Sequence, residues 1–387
     1  MSTLPFLENA WMRVTDGVIM DFGSMSTLQL QEETDVQIID VSGKSILPTW
    51  CDSHTHLVFA ASREGEFLQK IQGKTYEEIA GSGGGILHSA LKLQQTTEAE
   101  LYEKAAERVT ALIATGTGAI EIKSGYGLSV DAELKMLRVI RRLKQIFPIP
   151  IKATFLGAHA FPQSYKQNHS GYIDLILGEM LPNIAAEDLA DYIDVFCEQG
   201  FFSLAETRQI VEAGQKYGLK PKLHVNQLSN NGGVQLGVAM DALSLDHLEE
   251  IGQEEMAALE GKMTMATLLP GCSFFLGIPF APAKAMIESG LGIALASDFN
   301  PGSSPSGNMN FILKLACIKM KLLPEQAVNA MTLNGAYAME LSHAYGSINK
   351  GKTANFIVTK PIDHLVSLAY HFGDNLIDSV YICGRKW

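Results

Sequence analysis

The sequence lacks the features that mark secreted, membrane-spanning and nucleic-acid-binding proteins. Lys and Arg number 30 against 42 Asp and Glu, and the formal net charge of -12 argues against a surface for nucleic acid or anionic lipid. The amino-terminal segment has no basic region followed by an apolar one, and no apolar run approaches the ~18 residues of a membrane span. We therefore expect a soluble, cytoplasmic protein with a small-molecule partner.

Cysteine is also sparse and scattered. The five cysteines form no CxxC pair, and they are Cys51, Cys197, Cys272, Cys317 and Cys383. An odd number without close pairs predicts neither a disulfide framework nor a thiolate zinc site, and it fits a reducing compartment. The chain of 387 residues, 47% of them hydrophobic, is long enough for one large core plus a small accessory unit.

What the sequence does contain is a repeated alternation of short strand-like runs and helical patterns. Such alternation is typical of a parallel sheet built from βα units. Eight runs favour a closed (β/α)8 TIM barrel over an open sheet. The predicted strands are residues 50–56, 119–123, 151–159, 192–198, 222–227, 242–248, 264–270 and 292–298.

Helical periodicity is clearest after Ser129, where one face carries only apolar side chains. That face consists of Leu134, Leu137, Ile140 and Leu143. The pattern predicts a helix that packs on the outside of the barrel. Two further helices are predicted at residues 309–320 and 324–341, after the eighth strand.

The two ends of the chain share a different character. Short β-like stretches with glycine turns occur at residues 18–20, 36–39, 356–358 and 379–383. We expect the ends to pair with each other in a small β-sandwich domain. This domain would comprise residues 1–47 and 346–387 and leave residues 48–345 for the barrel.

The sharpest chemical feature is Asp52-Ser53-His54-Thr55-His56 at the end of the first predicted strand. Residues i and i+2 of a strand point to the same face, so His54 and His56 should aim together into the barrel mouth. Neighbouring neutral imidazoles suit a divalent cation. A chance His-x-His, or a satisfied pair in the core, is the alternative for this motif considered alone.

Three more candidate ligands end later predicted strands, namely His224, His247 and Asp298. The carboxyl ends of barrel strands converge on one face, where active sites of this fold lie. Ligand type, strand position and order therefore predict a metal site. His159 also ends a strand. The histidines assigned to the surface or to packing are His88, His169, His343, His364 and His371.

This order of ligands, with HxH on strand one, His on strands five and six, and Asp on strand eight, resembles the amidohydrolase superfamily. One branch of that superfamily bridges two metal ions with a carboxylated lysine on strand four. Here the fourth run reads DVFCE at residues 194–198 and has no lysine. The resemblance thus implies a single metal ion, Zn or Fe.

Within the superfamily the sequence resembles the imidazolonepropionase family over about residues 9–360. The matching runs are DSHTHLVF (52–59) with Ser62-Arg63, GGGI (83–86), EIKSGYGL (121–128), LGAH (156–159), DHLE (246–249) and SDFNPGS (297–303). The metal ligands implied are His54, His56, His224 and Asp298. The substrate contacts implied are Arg63, Tyr126, His159, Asn300, Gly302 and Ser303.

The resemblance implies hydrolysis of the cyclic amide of 4-imidazolone-5-propanoate to N-formimidoyl-L-glutamate, a step of histidine degradation. A metal with an open position lowers the pKa of a water ligand to about 7. His247 and Asp298 are the candidates to accept the proton of that water, with His247 as the main shuttle. The guanidinium of Arg63, assisted by Tyr126, suits the propionate tail, and His159 suits the ring or its carbonyl.

Two departures from the family pattern affect these expectations. Gln227, three residues after His224, stands where some members carry a Glu that hydrogen-bonds the substrate. Because an amide both donates and accepts hydrogen bonds, substrate-binding and catalytic roles for Gln227 stay open. The chain also begins without the first strand usual in such enzymes, so the small domain should be short of one strand.

Two alternative functions are compatible with parts of the pattern. A ring deaminase uses the same metal scaffold but normally needs a glutamate where this chain has Gln227. A non-catalytic scaffold would have lost ligands, and all four are present here.

The glycine-rich run 81–85 lacks the Gly-Lys-Ser/Thr of a phosphate loop, which favours a flexible segment near the site. The oligomeric state stays open, and a homodimer is compatible with the sequence.

Overall fold

The computed structural model describes residues 3–29, 36–74 and 84–387. Near the amino terminus, β1 (Ala10–Thr15) and β2 (Val18–Ser24) form an antiparallel hairpin, and β3 (Ile46–Pro48) follows. Residues 81–83 of the glycine-rich run lie outside the described ranges, so the flexible segment expected there stays a prediction.

Eight parallel strands follow in chain order and pair with their sequential neighbours. They are β4 (Trp50–Thr55), β5 (Thr117–Lys123), β6 (Ile151–Ala158), β7 (Tyr192–Cys197), β8 (Lys220–Val225), β9 (Ser244–His247), β10 (Met265–Leu268) and β11 (Ile293–Leu295). The sheet closes on itself because His56 N donates to Phe299 O (2.9 Å) and Asp298 N donates to His54 O (3.0 Å). The predicted TIM barrel and its eight strands are confirmed.

Helices occupy most connections between these strands, and four more follow β11. Their bounds are Glu64–Ile71, Ile86–Gln95, Glu98–Ala114, Val130–Ile146, His169–Leu175, Leu181–Ala186, Leu204–Gln215, Gly233–Ala239, Gln253–Leu259, Pro270–Leu276, Ala283–Glu288, Met309–Ile318, Pro324–Met331, Leu333–Tyr337 and Ser367–Tyr370. Helices Glu98–Ala114 and Leu204–Gln215 each begin with a capping box, which satisfies otherwise unpaired N–H groups at their starts. The predicted apolar face of Val130–Ile146 is buried against the barrel. None of the helices in the described ranges combines the length and apolarity needed to cross a membrane.

The predicted single helix 324–341 is wrong in two respects, because it is broken at Thr332 and ends at Tyr337. There φ is -116° and ψ is -87°, and the Thr332 hydroxyl donates to Val328 O at 2.6 Å. Gly335, just beyond the break, lies so close to β4 that an added Cβ would be 2.3 Å from Cys51 O. The break lets the second helical segment approach the barrel strand that carries the histidine pair.

The carboxyl-terminal strands are β12 (Phe356–Thr359), β13 (Ile377–Ile382) and β14 (Arg385–Lys386). β12 pairs with both β13 and β3, so the predicted pairing of the two ends is confirmed. Ile19 of the hairpin packs with side chains of this sheet, among them Phe356 and Tyr381, which gives the unit its own small core. The domain boundaries at residues 47/48 and 345/346 stay a prediction.

The strand predicted at residues 36–39 is wrong. That segment has no strand structure, and Val36, Ile38 and Ile39 are 58%, 78% and 46% exposed. β propensity expresses how well a side chain fits a half-buried pleated surface, and no such surface covers these side chains. A β-like sequence alone therefore did not decide the structure here.

Candidate active site at the barrel mouth

Three predicted metal ligands converge at the carboxyl ends of β4 and β8. His54, His56 and His224 each offer one ring nitrogen, and the three nitrogens lie within 4.8 Å of one another. His54 Nε2 is 3.2 Å from His56 Nε2. Asp298 Oδ1 is 3.4 Å from His54 Nε2 and 3.6 Å from His56 Nε2. The four predicted ligands are thus one cluster in space.

These donor atoms fit a metal ion in number, type and spacing. Bonds of ~2.0–2.2 Å to nitrogen and oxygen imply separations of about 3.3–3.6 Å between tetrahedral ligands. Both distances from Asp298 lie in this range, and the His54–His56 distance of 3.2 Å is slightly shorter. Burial, followed by the charges of neighbouring basic groups, holds the pKa of each of the three histidines well below its usual value. Among the described residues, His224 Nε2 has no hydrogen-bond partner. A cation would use these neutral, buried acceptors.

Two buried carboxylates support the ligands from beneath. Asp246 Oδ2 lies 2.7 Å from His54 Nδ1, which makes Nδ1 the protonated nitrogen and turns the Nε2 lone pair toward the cluster. Asp194 Oδ2 lies 2.9 Å from His224 Nδ1 without aligned hydrogen-bond geometry, and Asp194 Oδ1 accepts from His224 N. Neither aspartate was selected from the sequence.

Lys123 and Lys222 balance the charge of these carboxylates inside the barrel. Lys123 Nζ lies 2.8 Å from Asp194, 3.3 Å from Asp246 and 2.7 Å from Glu121. Lys222 Nζ contacts the other oxygen of Glu121. Burial lowers the pKa of Lys123, but the three carboxylates outweigh burial and raise it, so the lysine stays charged. A fully buried ion network of this kind holds the histidine partners in place.

The residues at the strand ends carry backbone strain. His247 has φ +87° and Asp298 has φ +52°, in a region that non-glycine residues seldom adopt. Burial raises the pKa of the Asp298 carboxyl to about 6, against the lowering influence of His247. Strained, buried polar residues are typical of functional sites, since the surrounding structure must hold them in position.

His247 lies beside the histidine cluster, with its ring centroid 5.3 Å from that of His224. His247 Nδ1 is 3.5 Å from Glu249 Oε2, and Ser273 Oγ donates to Glu249 Oε1 at 2.9 Å. Burial lowers the pKa of His247, but nearby carboxylates, Glu249 first, outweigh it and raise the pKa. With Nδ1 directed at Glu249, Nε2 is left for reacting groups, which suits a proton carrier.

His159 and Tyr126 form one wall of the site. The His159 ring stacks on His56 with centroids 5.3 Å apart, and Tyr126 lies 5.4 Å from His159. Burial lowers the pKa of His159 to about 4, so its ring is neutral near pH 7. Its Nδ1 lies 3.1 Å from Gly125 O, a contact that requires glycine because φ at Gly125 is +105° and a Cβ would be 3.0 Å from that nitrogen.

Glu133 positions the loop that carries Tyr126. This buried side chain, in the first turn of helix Val130–Ile146, accepts hydrogen bonds from Gly125 N (3.0 Å), Gly127 N (2.7 Å) and Leu128 N (2.9 Å). One carboxylate thus orders three backbone donors of the loop. The sequence signal for it was weak, since an acidic residue in a first helical turn is usually only a cap.

Arg63 approaches the loop after β11. An added Cβ at Gly302 would lie 2.0 Å from Arg63 Nη1, so this close approach needs glycine at position 302. The guanidinium also holds Glu66 through Nε (2.8 Å) and Nη2 (2.6 Å). The predicted Arg63 and Gly302 are therefore neighbours, with Glu66 as an additional partner that the sequence did not indicate.

Asn300 and Ser303 are also neighbours, but Asn300 is committed to its own turn. Its Oδ1 accepts from Gly302 N (2.8 Å) and Ser303 N (2.7 Å), while its Nδ2 donates to Asp298 O (2.7 Å) and Ser303 Oγ (2.8 Å). Ser303 Oγ also lies 3.4 Å from Asp298 Oδ2. Asn300 thus shapes the loop that presents Asp298, and direct substrate contact by its amide stays a prediction.

Gln227 follows β8 at the edge of the site. Its Nε2 lies 3.3 Å from Cys272 Sγ, and its backbone N donates to Glu198 Oε2 at 3.1 Å. Glu198 also accepts from Leu228 N and from the Ser229 hydroxyl. The last residue of the DVFCE run is therefore a loop anchor that holds Gln227 in position.

Solved structures with the same fold include enzymes that act on ring compounds. A 5-methylcytosine deaminase from Klebsiella pneumoniae has a TM-score of 0.76 at 14% identity, covering 97% of this chain and 93% of that one. A guanine deaminase from C. acetobutylicum has a TM-score of 0.70 at 17% identity, covering 100% and 96%. At such identities the likeness establishes the fold alone.

Comparison with sequence relatives identifies the family more narrowly than comparison with solved structures does. The model of the amidohydrolase family matches residues 45–386. The imidazolonepropionase of Flavobacterium johnsoniae is 57% identical over 385 residues, covering 100% of this chain and 93% of the relative. The imidazolonepropionase of Thermoanaerobacter pseudethanolicus is 38% identical, covering 98% and 90%. The chain therefore belongs to the amidohydrolase family and, within it, to the imidazolonepropionases.

Proposed function

We propose that this chain hydrolyses 4-imidazolone-5-propanoate to N-formimidoyl-L-glutamate. Water adds to the ring carbonyl carbon, the ring C–N bond breaks, and the departing nitrogen takes up a proton. The observation that supports this most strongly is the convergence of His54, His56, His224 and Asp298 beside His247. The same barrel face carries Arg63 for a carboxylate tail.

His54, His56, His224 and Asp298 would hold the metal ion. When bound, such an ion polarises the carbonyl and lowers the pKa of a water to near 7. Three imidazoles and a carboxylate suit Zn²⁺ and Fe²⁺ alike, and we propose one catalytic ion of either kind at this site. Asp246 fixes the His54 tautomer that such binding requires.

His247 is the proposed proton carrier. Its Nε2 accepts a proton from the attacking water and returns it to the ring nitrogen, while Glu249 stabilises the imidazolium that exists between these events. Asp298 shares the task of orienting the water, since its carboxylate faces both His54 and His56. Burial of all these groups strengthens their electrostatic effect on the transition state.

Arg63 and Tyr126 are the proposed contacts of the propionate, with Gly302 and Ser303 lining the same loop. A guanidinium offers paired donors that match a carboxylate. His159, neutral because of burial, is the proposed hydrogen-bond partner of the ring. Gln227 is a further proposed ring contact, since its amide both donates and accepts.

Direct assay decides the proposed function. The metal-loaded protein is incubated with 4-imidazolone-5-propanoate, and the product is followed by mass spectrometry. We expect N-formimidoyl-L-glutamate with the mass of one added water. Unchanged substrate, together with ammonia release from a nucleobase, would instead favour the ring-deaminase alternative.

Arg63→Ala is expected to weaken substrate capture with little effect on kcat. A charge-assisted pair with a carboxylate contributes ~1.5–3 kcal/mol, so KM should rise about 10- to 150-fold. Steady-state kinetics measures both constants, and Arg63→Lys should recover only part of the loss because it lacks the planar fork. Arg208→Ala, at an exposed pair on the helix Leu204–Gln215, is the matched control. An unchanged KM would remove Arg63 from the site.

Gln227→Glu is expected to keep kcat/KM within about tenfold, a barrier change near ~1.4 kcal/mol. The substitution is nearly isosteric, so packing is preserved. A new carboxylate near the site favours charged histidine, so the acidic limb of the pH–rate profile should move to higher pH. Gln215→Glu, at an exposed position, is the control. An inert native protein that gains deaminase activity on the Gln227→Glu substitution would overturn the proposed reaction.

A further inference from the structure

A second group of potential ligands lies beside the three-histidine cluster. His247, Glu249 and Cys272 each offer one donor atom, and the three atoms lie within 4.8 Å of one another. All three side chains are buried. The group shares no member with His54, His56 and His224. His247 ends β9, Glu249 lies two residues beyond it, and Cys272 lies in the helix that follows β10. β9 and β10 are neighbours in the barrel.

Two of its donor atoms are without hydrogen-bond partners among the residues the structure describes. These are His247 Nδ1 and Glu249 Oε2, which are 3.5 Å apart. Ser273 Oγ occupies the other oxygen, Glu249 Oε1, at 2.9 Å and so directs Oε2 toward His247. Buried polar atoms normally have partners, and at 3.5 Å the two atoms attract each other without forming a hydrogen bond, so an ion bound between them would supply the partner that both lack.

Cys272 supplies the third donor from the start of the helix Pro270–Leu276. Thiolate, imidazole and carboxylate are the ligand types of zinc-class ions. The 3.5 Å between the nitrogen and the oxygen agrees with the about 3.3–3.6 Å expected between tetrahedral ligands with bonds of ~2.0–2.2 Å. A thiolate and a carboxylate together neutralise a divalent ion, which suits a buried position.

We propose that His247, Glu249 and Cys272 form a second binding site, for a divalent ion of the zinc class. On binding, the Cys272 thiol releases its proton to solvent and the sulfur bonds the ion. His247 is bound through Nδ1, so its ring proton resides on Nε2, and Nε2 can no longer accept a proton. Occupancy therefore inhibits turnover, a consequence that rests on the proposed role of His247.

Cobalt is the probe that separates the two sites. Protein already holding one equivalent of metal is titrated with Co²⁺, and near-ultraviolet absorption is recorded. Thiolate ligation produces an intense charge-transfer band, which a site of three histidines and one aspartate cannot produce. We expect a second equivalent to bind with that band, and Cys272→Ser to abolish the band. Cys197→Ser, at another buried thiol on β7, should retain it.

Binding of Zn²⁺ is the second measurement. Equilibrium dialysis should show two equivalents of Zn²⁺ in the parent protein, and at least tenfold weaker binding of the second equivalent in Cys272→Ser and in Glu249→Gln. Excess Zn²⁺ should inhibit the parent enzyme. With the activity of each protein normalised to its value at one equivalent of metal, the inhibition constant for Zn²⁺ should be at least tenfold higher in Cys272→Ser than in the parent.

Two results would overturn the proposal. A stoichiometry of one, without a thiolate band, would mean that Glu249 only orients His247. A band that persists in Cys272→Ser would place the second ion on another cysteine. A protein that shows the band but leaves 4-imidazolone-5-propanoate intact would instead contradict the proposed function and leave this site standing.

Discussion

His54→Ala and His56→Ala are each expected to lose bound metal and turnover together. Removing even a group that supports a ligand costs 10- to 100-fold in metal affinity, and a ligand itself contributes more. Asp246, which lies beneath His54, does not replace a lost imidazole because it is already paired with the buried Lys123. We expect kcat/KM at least ~100-fold below that of the parent protein.

Elemental analysis of the purified variants measures the loss of metal, and steady-state kinetics measures the loss of turnover. His343→Ala is the matched control, because His343 is exposed and outside the barrel mouth. Circular dichroism would show whether each variant retains the fold. Full metal occupancy in His54→Ala or His56→Ala would contradict the ligand assignment, even if activity were lost.

His247→Asn is expected to lower kcat by about 10²- to 10⁴-fold while the metal is retained. A positioned proton carrier contributes a factor of this size, and His247 is not one of the four proposed ligands. Asn is the suitable replacement because φ at His247 is +87°, and Asn accepts positive φ more readily than most residues. Ala at this position would add backbone strain to the chemical change.

The pH–rate profile makes this prediction specific. His247 is charged at low pH, and its carboxylate neighbours raise its pKa above the usual value. Activity that depends on neutral His247 is lost as pH falls through that raised pKa, and the Asn variant should lack this limb. Retained kcat, or loss of metal along with kcat, would show that His247 has another role. A lost metal would place His247 among the ligands.

Most of the barrel was predictable because its signals are local. A run of apolar, β-branched residues next to a helical pattern indicates a βα unit, and all eight runs proved to be strands. Local signals failed where neighbours decided the outcome. Residues 36–39 have β-like composition but no sheet to join, and the helical pattern at 324–341 is broken at Thr332, next to the close approach of Gly335 to Cys51 O of β4.

In the candidate site, too, local sequence signals identified some residues and only the tertiary structure identified the others. The HxH spacing and the strand-end positions of His224 and Asp298 were sufficient to select the ligand candidates. The groups that orient them were not recognisable, because Asp194, Asp246 and Lys123 are ordinary residues in the sequence and gain meaning only from burial together. The same applies to Glu133, which orders the loop of Tyr126 from the following helix.

The sequence by itself determined the order of strands, the identity of the metal-binding candidates and the family to which they point. Only the tertiary structure decided which polar groups share one buried space. Asn300 was thereby assigned to its own turn, Arg63 was brought against Gly302, and Cys272 was placed beside His247 and Glu249. The physical reason is that strand alternation is a property of adjacent residues. Contact between residues of different strands depends instead on barrel closure and register, which the whole chain sets.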